Sequence, residues 1–263
     1  MSIDLDPDCG IGYAVSNRIA RITLDRPPVN ALTLEMIRGA VAALKRAAAD
    51  DDVRTVILTS ALPRRFCAGL DLDLLLEADQ GKIRALLQAL YLDLHDARRA
   101  LGKPSIAAVG GAARGGGVTL AISCDVIIAA ESASFGYPEI DIGVLPAIHF
   151  AHLPRIVGRH RAFELLFSGR SFGAQEAFDL GLASKIVADS ELATATMALA
   201  KTFAAKSPAA MALGRAAFLR QNDGEERRRI ADAVEDFCQA AASEAAREGV
   251  RAFVEKRKPD WQD

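Results

Sequence analysis

Three consecutive glycines, Gly115-Gly116-Gly117, stand between an apolar run at Ser105 to Val109 and a stretch of small residues from about Gly116 to Ser123. Residues without side chains at a strand-to-helix junction let a second backbone or a ligand approach the main chain closely. They also leave free amides at the positive end of the helix dipole, which suits an oxyanion. The spacing matches neither a P-loop nor GxGxxG, so phosphate binding is disfavoured. Tight helix packing alone accounts for the same glycines.

The rest of the chain alternates in the same way. Ile11 to Leu24 alternates apolar and polar residues about a turn at Ser16-Asn17-Arg18, which predicts a hairpin. From Thr33, a plausible N-cap, to about Ala49 the period becomes helical, with Leu34, Ile37, Val41 and Leu44 on one face. Val53 to Leu58 predicts a strand, Gly81 to Leu101 a helix, and Ser105 to Val109 and Val126 to Ala130 two more strands. Such a succession gives α/β layers. After about Val187 the strand signals stop, and Pro208 and Asn222-Asp223-Gly224 punctuate a helical remainder. The expectation is an α/β core over 1–190 and a helical region over 191–263.

A hydrophobic fraction of 51% and a charged fraction of 25% mark an ordinary globular protein. A net charge of −2 gives no electrostatic reason to expect nucleic acid or a membrane surface as a partner. The 4 cysteines form no CxxC pair, so neither a zinc site nor a disulfide framework is indicated, and a reducing cytoplasm is the simplest location. The acidic opening MSIDLDPDCG lacks the layout of a secretory or transit leader.

Two further segments can carry chemistry. Phe66-Cys67-Ala68-Gly69-Leu70-Asp71-Leu72 follows a strand and a basic loop, and Gly69 permits a sharp turn that frees the next amide. In Phe135 to Gly143, Glu139 sits among apolar and proline-restricted neighbours, a setting that suits a desolvated base. Read singly, the first is also a plain turn and the second a solvated loop carboxylate.

Taken together and in order, these segments resemble the crotonase (enoyl-CoA hydratase/isomerase) superfamily. The likeness runs from Asp25-Arg26-Pro27-Pro28-Val29-Asn30-Ala31-Leu32 through Phe66 to Leu72, Lys103 to Val109, Gly115 to Gly117, Cys124-Asp125-Val126 and Phe135 to Gly143. It ends at Ala252-Phe253-Val254-Glu255-Lys256-Arg257-Lys258-Pro259. The resemblance implies an α/β spiral of strand-strand-helix units with a C-terminal helical region that packs homotrimers or dimers of trimers. It implies an acyl-CoA substrate, with coenzyme A part of that substrate, and no separate cofactor or metal.

By the same resemblance the amides of Leu70 and Gly116 form an oxyanion hole for a thioester enolate. Coenzyme A contacts fall on Pro28, Val29, Ala68, Phe253 and Lys256, although Phe253 can equally serve to dock the last helix. Hydratases of the family use two glutamates. The second is Glu139, while the first position holds Thr119, which cannot ionise at working pH. One remaining carboxylate suffices to move a double bond, so the sequence favours enoyl-CoA isomerisation, with hydration through a non-standard second group as the alternative. Ala147 stands where dienoyl-CoA isomerases carry an aspartate, which disfavours that subtype. His149 and His152, without a third ligand nearby in sequence, read as ordinary helix residues rather than metal ligands or a substitute acid. A decarboxylase or thioesterase on the same fold, or a non-catalytic RNA-binding scaffold, are the remaining readings.

Overall fold

The computed structural model describes residues 4–6, 9–76 and 79–261. The predicted hairpin is present as Ile11–Ser16 and Ile19–Leu24, paired antiparallel from Ile11↔Leu24 to Ser16↔Ile19. Asn17 and Arg18 turn it with φ of 51° and 62°, the left-handed pair that a two-residue hairpin loop requires. Beyond it, Thr55–Ser60, Ser105–Val109, Val126–Ala130 and Lys185–Val187 add parallel strands, and Asp4–Asp6 completes the opposite edge of a seven-stranded sheet. Helices cross over between parallel strands, as parallel pairing demands.

Leu34–Ala49 is the predicted helix, with Thr33 Oγ1 accepting from Met36 N at 3.2 Å. Ile37 and Val41 on its apolar stripe are buried, and Leu34 and Leu44 pack at the margin of the same core. The strand expected at Val53 to Leu58 begins later, at Thr55, because Val53 N is held by Asp50 O in a turn at 3.1 Å.

Two features were not legible. The helix predicted over Gly81 to Leu101 is interrupted, running as α-helix over Gln80–Leu87, as a π-helix over Gln88–Asp93 and as α-helix again over Leu94–Ala100. A π segment shifts the side chains that follow it around the helix and recurs at functional sites. Second, Arg64–Cys67, Gly111–Arg114, Ser134–Gly136 and Ser171–Gly173 form a separate four-stranded sheet. These strands are so short, and so rich in Gly, Ser and Arg, that they read as turns. Beyond Val187 the described chain is helical, with Pro208 in the first turn of Pro208–Asn222 and Asp223 and Gly224 separating it from Glu226–Ala241. Among the described residues no helix is long and apolar enough to cross a membrane.

Candidate active site

Where the small sheet meets the glycine triplet, three backbone segments converge. Gly69–Leu70 pairs parallel with Ala31–Leu32. Ala68 N donates to Val29 O at 3.0 Å and Asp71 N to Leu32 O at 3.0 Å. On its other side this segment meets the glycine triplet. A β-carbon on Gly69 would stand 2.9 Å from Arg114 O and 3.6 Å from Gly116 N, and Gly69 itself has φ of +94°.

Gly116 is the first residue of the helix Gly116–Ile122, where amides have no partner within the helix. Leu70 and Gly116 are therefore neighbours: Leu70 Cδ2 lies 3.5 Å from the place a Gly116 Cβ would take, and Leu32 and Leu90 close the same spot at 3.0 and 3.2 Å. Leu90 is delivered there by the π segment.

Glu139 lies in the 3₁₀ turn Pro138–Ile142, opened by Pro138 and ended by the left-handed Gly143. The carboxylate is folded over Gly115, where a Cβ would stand 2.8 Å from Glu139 Cδ. Part of the residue's surface remains exposed, yet Oε2 is enclosed and has no hydrogen-bond partner. Burial pushes the carboxyl up to about 7, against the lowering effect of its own backbone amide, with Asp141 adding to the rise. Charged carboxylates lose solvation there and the proton is held more tightly.

Thr119 and His149, which the sequence did not connect, meet at the Gly115 carbonyl. His149 is 1% exposed on the helix Ala147–Val157. Its Nε2 lies 3.3 Å from Gly115 O and 3.2 Å from Thr119 Oγ1. A carbonyl only accepts, so Nε2 carries the ring proton, and Thr119 Oγ1 accepts a share of it.

Burial holds the His149 imidazole down at about 3, with His152 adding to the depression and the Gly115 carbonyl opposing it. The ring is neutral at working pH. Tyr137 packs against it with centroids 4.5 Å apart. Its phenol is raised by burial and by the Glu139 charge. Tyr137 Oη and His149 Nδ1, like Glu139 Oε2, are buried without partners. Such atoms are rare in folded proteins and cluster where something else binds.

His149 lies within the helix Ala147–Val157, as expected, and its ring also meets Thr119 and the Gly115 carbonyl. Its spacing from His152 carried no signal, because its partners come from residues thirty-odd positions upstream. His152 instead donates Nδ1–H to Glu226 Oε1 at 3.0 Å. Leu70, Gly116, Thr119, Glu139, Ala68 and Val29 thus share one region. Phe253 and Lys256 do not join it through any contact described above. Phe253 is 60% exposed near the end of the helix Glu244–Val254, and Lys256 is exposed just beyond. Phe253 therefore does not dock that helix onto this chain. The helix is held elsewhere, by the close approach of Gly249 to the Ile142 backbone and of Gly143 to Ala245.

A family model described as enoyl-CoA hydratase/isomerase matches residues 14–263. The chain is 35% identical over 253 residues to a probable enoyl-CoA hydratase of Bacillus subtilis, covering 95% of this chain and 98% of that protein. It is 35% identical over 246 residues to the 2,3-dehydroadipyl-CoA hydratase of Escherichia coli, covering 93% and 95%. Among solved structures, an enoyl-CoA hydratase from Mycobacterium avium subsp. paratuberculosis superposes with a TM-score of 0.86 at 26% identity, covering 97% of this chain and 99% of that one.

Proposed function

Since the chain belongs to the enoyl-CoA hydratase/isomerase family, we propose that it hydrates a 2-enoyl-CoA to the 3-hydroxyacyl-CoA, with Glu139 as the sole ionising proton carrier and a neutral Thr119–His149 pair in place of a second carboxylate. The observation that carries this reading is the 3.2 Å contact of Thr119 Oγ1 with His149 Nε2. It gives a non-ionising hydroxyl a fixed partner at Gly115, the residue that the Glu139 carboxylate covers.

The thioester carbonyl oxygen accepts from the amides of Leu70 and Gly116. Those fixed donors favour the enolate over the ground state, each by roughly 3 to 4 kcal/mol. Thr119 O–H holds a water oxygen at C3 of the substrate. As that oxygen bonds to C3, Glu139 takes a proton from the water, and the electron pair of the double bond passes into the enolate. Glu139 then returns the proton to C2. A carboxyl near 7 suits both halves of this transfer at neutral pH. Coenzyme A is assigned on this reading to Pro28, Val29 and Ala68, with Phe253 and Lys256, both exposed at the end of the chain's last helix, as its outer contacts.

Thr119 alone favours double-bond migration, the reading the sequence prefers. The buried imidazole behind it, together with the hydratase names of the relatives, moves the balance to hydration. Incubation of the pure protein with a 2-enoyl-CoA and separately with a 3-enoyl-CoA tests this. Formation of 3-hydroxyacyl-CoA from the first, lowered at least tenfold in Thr119→Val, is expected. Conversion of the 3-enoyl-CoA with the 2-enoyl-CoA left unhydrated would replace hydration by migration.

A further inference from the structure

Thr119 also forms one wall of a small cavity, about 20 Å³, whose apolar sides include Leu90, Tyr91, Leu94 and Ile148. A water needs roughly 10 to 15 Å³ measured this way, so the space admits one or two heavy atoms. Its polar lining includes His95, Arg98 and His152, whose shared partner is Glu226. Glu226, 5% exposed, takes Arg98 Nη2 on Oε2 at 2.8 Å and His152 Nδ1 on Oε1 at 3.0 Å, and His95 Nδ1 faces it at 3.6 Å.

His95, itself 5% exposed, lines the cavity, and its Nε2 has no partner. Nδ1 is the nitrogen turned to Glu226, whose negative charge favours the ring proton there and leaves Nε2 as the acceptor. Burial holds this imidazole down at about 4, so it stays neutral. A buried acceptor without a donor has lost its water and gained nothing in return, which makes a donor in the cavity favourable. Glu226 is already engaged by Arg98 and His152, and an arriving carboxylate offers no donor to His95 Nε2.

We propose that this cavity is the end of the acyl site and selects a short acyl group carrying a hydroxyl at its far end, whose O–H donates to His95 Nε2. The proposal rests on the acyl-CoA reading above but not on which reaction follows. Leu90, which closes over Gly116, also lines the cavity beside Leu94, so the acyl chain reaches it along this helix face.

The test is calorimetric binding of unreactive saturated thioesters, hexanoyl-CoA, 6-hydroxyhexanoyl-CoA and adipyl-CoA, to wild type, His95→Leu and His95→Gln. Wild type is expected to bind the hydroxylated chain at least tenfold more tightly than the other two. His95→Leu should abolish that preference while keeping the affinity for hexanoyl-CoA within threefold, which also reports that it folds. His95→Gln, which keeps an acceptor, should retain part of it. Equal binding of the hydroxylated and plain chains by wild type, tighter binding of adipyl-CoA, or a preference that survives His95→Leu would overturn the proposal and leave a water as the cavity's only occupant. Hydration assays are separate, so failure of the hydratase reading would leave this result standing.

Discussion

The carboxylate of Glu139 lies on the face of Gly115 that any side chain there would fill, with Glu139 Cδ 2.8 Å from the position of a Cβ. Gly115 is also left-handed, with φ of +44°, so the residue is required twice, once for the turn and once for the acid above it. Gly115→Ala should therefore displace Glu139 and lower kcat at least a hundredfold, within the range for loss of a positioned acid-base group, with a smaller effect on acyl-CoA affinity. Steady-state kinetics alongside binding of a saturated acyl-CoA checks this. Unchanged kcat would mean that the carboxylate works from another position.

The Thr119 hydroxyl and the His149 imidazole act as one unit in this account. Thr119→Val and His149→Phe should each lower kcat at least tenfold, and the double variant should fall little further, since residues within one hydrogen-bonded unit are not additive. His149→Gln, which can retain an N–H near the position of Nε2, should recover part of the loss. Multiplicative effects in the double variant would separate the two residues.

Stability should respond to acid with a definite sign. His149 and His95 are held at about 3 and about 4 in the folded chain, below the roughly 6.5 of an unfolded histidine. Between those values the unfolded chain binds more protons, so stability falls as pH drops from about 6.5 towards 3. Burial alone would raise the Glu226 carboxyl, but His152 and Arg98 hold it at about 2, and its contribution is lost as pH falls from the unfolded value through about 2. Glu139 acts oppositely, because its raised carboxyl makes the folded chain retain a proton that is lost as pH rises through about 7. Urea midpoints from pH 7 to 4 should decline in the wild type and decline less in His149→Gln. An identical slope in that variant would refute the neutral buried imidazole.

Much of the architecture could be read directly. Ser105–Val109 and Val126–Ala130 begin and end where their apolar runs do, because a strand buried between helices has to be apolar throughout. The Gly69–Leu70 turn and the Gly115 junction were legible for the same reason: a glycine that two backbones must share leaves a local mark. The His149–Thr119 contact left none, since its two halves come from separate helices and neither residue type is unusual in a helix. The small sheet was equally silent, its strands being three or four residues long and held by pairing with distant segments. The π segment over Gln88–Asp93 has ordinary helical composition and reveals itself only through where it places Leu90 and Tyr91.

The most direct test is the pH dependence of kcat/KM for hydration of crotonyl-CoA by wild type and by Glu139→Gln. With one ionising group near 7 and a partner pair that does not titrate above about pH 4, wild type should rise along a single limb through about pH 7 and then level off, and the glutamine variant should be at least a hundredfold slower and flat. A bell-shaped curve, or hydration that keeps its rate and its limb in Glu139→Gln, would contradict the account.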